Sequence, residues 1–393
     1  MITNRRKPAI VTLLFLSGII LTNCTGSITS VTETIGKTAT LPSTLVITPT
    51  QTKEPTVQTA SPTPTVDDST YAPLVISSQF NIETGEELEN RMLFTMQLDG
   101  TIDKQLTESD LRYYYPRWSP DCRKITFFVD VGYKENIYDT RIGFIDLDTN
   151  TLTEISTPFE RNRYPSWSPD SRRIVFEAND GQSWQIYVVD LDTDDISQLT
   201  FEGDNQYPDW SPTGDQITFV SSRETVDVWS VWLMNVDGSE QREIFPAIRR
   251  SELGDWDNPS LNWALDPTFS PNGKFIVFSV EEAVPVLELN ERTVFKLYIV
   301  ELDGLNSHRL IPGDRRITNR NDPDYYYSSE FDAAWSPDGQ QILFTRTRQL
   351  SKDDQLCIVN LSNGEWSCQA EGSAAGFWGM DWCHNSDQDA IKD

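Results

Sequence analysis

The sequence predicts an all-β protein, a six-bladed β-propeller of four-stranded antiparallel blades. Three observations predict it. A turn motif recurs at blade-sized intervals, an alternating Ile-x-Phe segment follows each intact copy at a fixed distance, and the two chain ends hold complementary parts of one blade.

The motif reads Trp118-Ser119-Pro120-Asp121, Trp167-Ser168-Pro169-Asp170, Trp210-Ser211-Pro212-Thr213-Gly214, Phe269-Ser270-Pro271-Asn272-Gly273 and Trp335-Ser336-Pro337-Asp338-Gly339, with a worn sixth copy at Trp382-Cys383-His384. The aromatics are 49, 43, 59, 66 and 47 residues apart, the length of one four-stranded unit.

Each unit is justified in chain order. The first strand ends at the aromatic. Ser-Pro-Asp-Gly then suits a type I turn, with Pro presetting φ at the second corner and Gly last. The pairs Ile125/Phe127, Ile174/Phe176, Ile217/Phe219, Ile276/Phe278 and Ile342/Phe344 alternate as a half-buried second strand. A third strand follows, as in Ile186-Tyr187-Val188-Val189-Asp190, and ends in a turn such as Asp237-Gly238 or Asn363-Gly364. A short fourth strand, such as residues 196–200, closes the unit. Residues 74–107 supply strands two to four without a motif, and Trp382 supplies a first strand with little after it. Pairing of these fragments closes the ring and removes free sheet edges.

The repeat resembles the TolB-type propeller repeat over about residues 74–390. The resemblance implies the propeller fold and is poorly specific for function. Related propellers also serve as the non-catalytic half of prolyl-oligopeptidase-like enzymes, but no Gly-x-Ser-x-Gly elbow stands in this sequence.

Before the repeats come two further segments. Residues 1–23 carry Arg5, Arg6 and Lys7, then an apolar run from Ala9 to Leu21, then Leu21-Thr22-Asn23-Cys24. They resemble a bacterial lipoprotein signal with Cys24 as the lipid attachment site. A plain secretory signal or an uncleaved anchor are the alternatives. Residues 24–70 are rich in Thr, Ser and Pro and read as a disordered tether. Residues 71–393 form the propeller. The expected location is extracytoplasmic, on a cell-membrane lipid anchor of a bacterial envelope.

The net charge is −28, from 32 Lys+Arg against 60 Asp+Glu, which excludes a nucleic-acid footprint. Two histidines exclude histidine-rich metal sites. Asp146–Asn150 and Asp190–Asp194 resemble the start of a calcium loop but lack its later Gly and Glu. They read as turns, with a weak calcium site as the alternative. No cofactor is expected.

The loops that link blades, and those between second and third strands, share one face and hold every long insertion. Three residues before the six motif aromatics stand Tyr115, Tyr164, Tyr207, Asp266, Asp332 and Gly379. Repeat equivalence makes them a ring. Tyr beside Asp suits a protein, peptide or carbohydrate ligand, and a plug that merely packs the channel is the other reading. Trp256 and Trp378 join the candidate ligand site. Cys357 and Cys368 flank one turn and form a candidate disulfide; Cys122 and Cys383 are a second candidate pair. The expected function is a monomeric, lipid-anchored binding scaffold for an envelope protein or peptide, and not an enzyme. A carbohydrate-binding lipoprotein is the alternative. A lyase or glycosidase using Asp266 and Asp332 is the third.

Overall fold

The computed structural model describes residues 74–383, except 81–86, 99, 108–110, 135–136, 225–227, 247–260, 285–291, 305, 312–327, 349–353 and 369–376. The signal, the tether, Cys24, Trp256 and Tyr325 to Tyr327 lie outside these residues, as does the side chain of Trp378. All described residues belong to the compact unit spanning residues 64–393.

The described chain is all-β. Strands β1 (Leu74–Phe80), β2 (Glu87–Met96) and β3 (Ile102–Gln105) come first. Then follow β4 (Arg112–Trp118), β5 (Lys124–Lys134), β6 (Ile137–Asp146) and β7 (Thr151–Glu154), and β8 (Arg161–Trp167), β9 (Arg173–Asn179), β10 (Trp184–Asp190) and β11 (Ile196–Gln198). The next four are β12 (Asn205–Trp210), β13 (Gln216–Ser221), β14 (Ser230–Asn235) and β15 (Arg242–Phe245). The last are β16 (Leu261–Phe269), β17 (Phe275–Val284), β18 (Arg292–Glu301), β19 (Ser307–Arg309), β20 (Ser328–Trp335), β21 (Gln341–Arg348), β22 (Asp354–Asn360), β23 (Trp366–Cys368) and β24 (Phe377–Trp382).

Consecutive strands pair antiparallel in groups of four, as β12–β15, β16–β19 and β20–β23. The groups β4–β7 and β8–β11 are joined by a single parallel bridge, Thr140 to Arg161. The remaining sheet has the order β24-β1-β2-β3, so the last described strand pairs with the first.

The motif turns form as their chemistry requires. The fourth residue's N–H donates to the Ser carbonyl at Ser119, Ser168, Ser211, Ser270 and Ser336. Each Ser Oγ also accepts the N–H five residues on, which starts the second strand. The fourth residue takes positive φ at Cys122, Ser171, Gly214, Gly273 and Gly339. Glycine fills that position at no steric cost; Cys122 and Ser171 do so under strain.

The core lies between sheets. Trp167 packs with Phe128 and Ile142 of the preceding sheet. Trp210 packs with Val175 and Ile186, Phe269 with Val220 and Val231, and Trp335 with Val277 and Leu297. Trp382 packs with Leu343 and Leu356, and Trp118 with Val75 and Cys383. Every motif aromatic is thus a wedge between neighbouring sheets. Truncating a buried aromatic of this kind costs about 3–5 kcal/mol.

Two disulfides are present among the described residues. Cys357 and Cys368 are direct cross-strand partners on β22 and β23, with Cα atoms 4.0 Å apart. Cys122 and Cys383 join the first motif turn to the end of β24, across 261 residues of sequence.

Candidate functional site

The first strand of every group is bulged just before its aromatic. The register breaks between Tyr114 and Arg117, Arg163 and Ser166, Gln206 and Asp209, Leu265 and Thr268, and Phe331 and Ala334. Within each break one residue is left-handed: Tyr115 (φ 48°), Tyr164 (51°), Tyr207 (53°), Asp266 (48°) and Asp332 (53°), with Gly379 (82°) in β24. These are the six residues that repeat equivalence groups together. A left-handed L-residue costs roughly 1–2 kcal/mol, so the surrounding sheets hold each bulge in place. Gly379 has a stricter reason. A Cβ there would sit 2.6 Å from the Tyr115 Cα, so no larger residue fits.

Four of the six bulge residues, Tyr115, Tyr164, Tyr207 and Asp266, line a small cavity together with Arg117, Pro165 and Pro208. Its volume is about 10 Å³, close to the room for one water. Tyr115 meets Tyr164 edge-on at 4.5 Å, and Tyr164 lies 4.1 Å from Tyr207, to whose hydroxyl it donates at 3.2 Å. The three tyrosines therefore pack on one another and fill the space between their strands. Burial pushes the Tyr115, Tyr164 and Tyr207 hydroxyls well above the ordinary tyrosine range.

Two residues further along, the chemistry is ionic. Arg117 donates Nη2 to Asp266 Oδ1 at 3.0 Å and Nη1 to the Met380 carbonyl at 3.0 Å. Burial disfavours its charge, but Asp266, Asp381, Asp209 and Asp332 surround it and raise its pKa. Asp209 accepts from Ser166 Oγ at 2.8 Å and from the Phe269 N–H at 2.9 Å; Asp381 accepts the Trp118 N–H at 2.7 Å. Asp209 thus ties β12 to β8 and β16, and Asp381 ties β24 to β4. Burial raises Asp332 to about 7, with the Asp266 charge adding to it, and raises Asp209 and Asp381 to about 6 against the pull of Arg117. Burial also raises Asp266 despite Arg117, and its Oδ2 makes no hydrogen bond among the described residues.

Arg117, Asp209 and Asp381 were not singled out from the sequence. Their signal was present: they precede the motif aromatic directly, as Arg117-Trp118, Asp209-Trp210 and Asp381-Trp382.

Six residues before the aromatic, at or near the start of each first strand, stand Arg112, Arg161, Asp204, Trp263 and Ser329. Trp263 is 43% exposed and stacks on Trp229 at 6.1 Å. The calcium-like segments are Asx turns: Asp146 accepts from Thr149, and Asp190 from the Asp192 and Thr193 N–H groups. Among the described residues no group of three His, Cys, Asp or Glu side chains is arranged to hold a metal ion.

A model of the TolB beta propeller domain matches residues 78–256 and 116–312. The chain belongs to that family. TolB from Acinetobacter baumannii aligns with this TolB-family propeller at a TM-score of 0.57 and 18% identity, covering 80% of this chain and 67% of that one. A chain of a Nidogen/Laminin complex aligns at 0.50 and 10% identity, covering 80% and 99%. At such identities the likeness is one of fold alone. An oligogalacturonate lyase in complex with manganese aligns at 0.45 and 14% identity over 76% and 73%, and nothing about the site follows from it. No curated protein matches the sequence.

Proposed function

We propose that this TolB-family propeller is a lipid-anchored, extracytoplasmic scaffold that binds an envelope protein or peptide at the mouth of its long-loop face. The six four-stranded groups act as six blades of one ring. The β24–β1 pairing closes that ring, helped by the Asp381 contact to Trp118 and the Cys122–Cys383 disulfide. Cys24 carries the lipid and residues 24–70 tether a monomeric ring to it.

The observation that carries the reading is the central cluster. Tyr115, Tyr164 and Tyr207 plug the channel, so a ligand rests on this floor and does not pass through. Trp263, on the same strand as Asp266 and 43% exposed, supplies an aromatic anchor of the kind interfaces favour. Carbohydrate is the second reading, favoured by the flat stacked pair of Trp229 and Trp263. No catalytic step is assigned: Asp266 is paired with Arg117, and Asp332 is buried beside it.

The test is capture by crosslinking from native membranes, with the full chain as bait. Trp263→Ala should abolish capture, while Leu152→Ser and Trp366→Ala, on outer strands, should not. Capture insensitive to Trp263→Ala would contradict the mouth as the binding site. Sugar-dependent tryptophan fluorescence without protein capture would favour the second reading. A Cys24→Ser chain released from membranes would support the anchor.

A further inference from the structure

Six arginines among the described residues stack on an aromatic ring, and five of them have an acceptor. Arg163 lies 3.8 Å from the Trp184 centroid and donates twice to Glu177. Arg223, over Trp232, donates to Ser221, Gln241 and Asn205. Arg173, over Trp210, pairs with Asp170. Arg346, over Trp366, donates to Ser328; Arg91, over Tyr114, donates to Gln79.

Arg161 is the exception. Its guanidinium lies 4.5 Å from the Trp184 centroid and makes no hydrogen bond or ion pair among the described residues. Its backbone is held on both sides, by the bridge to Thr140 and by pairing with Asn179. The stem is fixed and the head is oriented by stacking, so little entropy remains to be lost on binding. Glu177 is already committed to Arg163 and to the Tyr207 N–H at 2.9 Å. Arg161 therefore stands half-buried beside a second cation; burial and the Arg163 charge lower its pKa, partly offset by the charge of Glu177. Arg112 occupies the equivalent position on the neighbouring first strand, 53% exposed and 3.8 Å from Asp130.

We propose that Arg161, braced on Trp184 at the mouth of the long-loop face, is a binding site for a ligand carboxylate. The site rests on the reading of that mouth as the binding face. A planar guanidinium fork matches a carboxylate with two parallel hydrogen bonds. A doubly charged phosphate would fare worse against a chain of net charge −28. The carboxylate can come from a peptide C-terminus or from a sugar acid.

The test is phenylglyoxal labelling of the full chain, read residue by residue by mass spectrometry. Arg161 should label faster than Arg163 or Arg223. N-acetyl-dialanine or D-galacturonate should slow labelling of Arg161 several-fold, while N-acetyl-dialanine amide and D-galactose should not. Protection by the peptide acid alone assigns a peptide carboxylate, and protection by the galacturonate alone assigns a sugar acid. Calorimetry with the protecting acid should lose its heat in Arg161→Gln and weaken in Arg161→Lys. If neither acid protects Arg161, or if Arg161→Gln binds as the parent does, the proposal is overturned. Crosslinked capture through Trp263 that persists in that case would leave the binding face standing and remove only the carboxylate site. Protection without any captured partner would do the reverse.

Discussion

Tyr115, Tyr164 and Tyr207 form one arc of the central cluster; Asp266, Asp332 and Gly379 hold the same repeat position in the other three groups and form the second. All six share the same repeat position and the same left-handed backbone, yet their chemistry is opposite. The tyrosine arc is held by ring contacts and one hydroxyl bond. The aspartate arc is held by Arg117, which crosses from the first arc to reach Asp266. The difference teaches that the bulge belongs to the repeat, while the contents of the centre belong to individual side chains. The repeat fixes where six side chains go. It leaves open whether they pack or pair.

The largest expected effect comes from removing the charge that joins the arcs. Arg117→Met leaves Asp266, Asp209 and Asp381 buried without their cation and should cost about 3–5 kcal/mol in urea denaturation. Adding Asp266→Asn should recover part of that loss. An Arg117→Met loss below about 1 kcal/mol would show that the two arcs do not depend on each other.

The seam where the arcs meet comes next. Gly379→Ala puts a Cβ against the Tyr115 backbone and breaks a favourable left-handed glycine. The expected loss is on the order of 3 kcal/mol. Asp332→Gly relaxes the same backbone position elsewhere in the ring, so it should be far milder. Equal losses would mean that the close approach at the seam is unimportant.

A pH series separates the arcs more gently. Asp332, Asp209 and Asp381 are raised from 3.8 to about 7, 6 and 6. Between those limits the folded chain holds protons that the unfolded chain has lost, so their contribution to stability falls as pH rises through 4 to 7. Each group adds a slope of up to about 1.4 kcal/mol per pH unit. Asp332→Asn should flatten the upper part of the curve, and Tyr115→Phe should leave its shape unchanged. A curve that rises through this window would contradict the burial of the aspartate arc.

The smallest effect is Tyr164→Phe, which removes one hydroxyl bond to Tyr207 and keeps the ring contacts. The expected loss is about 1 kcal/mol in thermal or urea unfolding. A much larger loss would show that the tyrosine arc depends on hydrogen bonding and not on packing.

The four-stranded groups were legible because each depends on local chemistry. The Ser Oγ that starts the second strand, the Pro at the turn and the Ile-x-Phe alternation all lie within about ten residues of one another. The six equivalent bulge positions were legible too, as a register count from each aromatic. Their left-handed backbone was not, because Tyr at positive φ runs against its own preference and only Gly379 hinted at it. Arg117 was hidden for another reason. Its partners lie 149 residues away at Asp266 and 263 residues away at Met380, and no local pattern brings them together. Arg161 was invisible in the same way, since its character lies in lacking an acceptor among the described residues and not in a motif.

The binding role of the mouth is tested most directly by a photo-crosslinking residue placed in the full chain in native membranes, once at Trp263 and once at Leu152. The account predicts a discrete crosslinked partner from position 263 and none from position 152. A partner trapped at 152 alone, or at neither position, would contradict it.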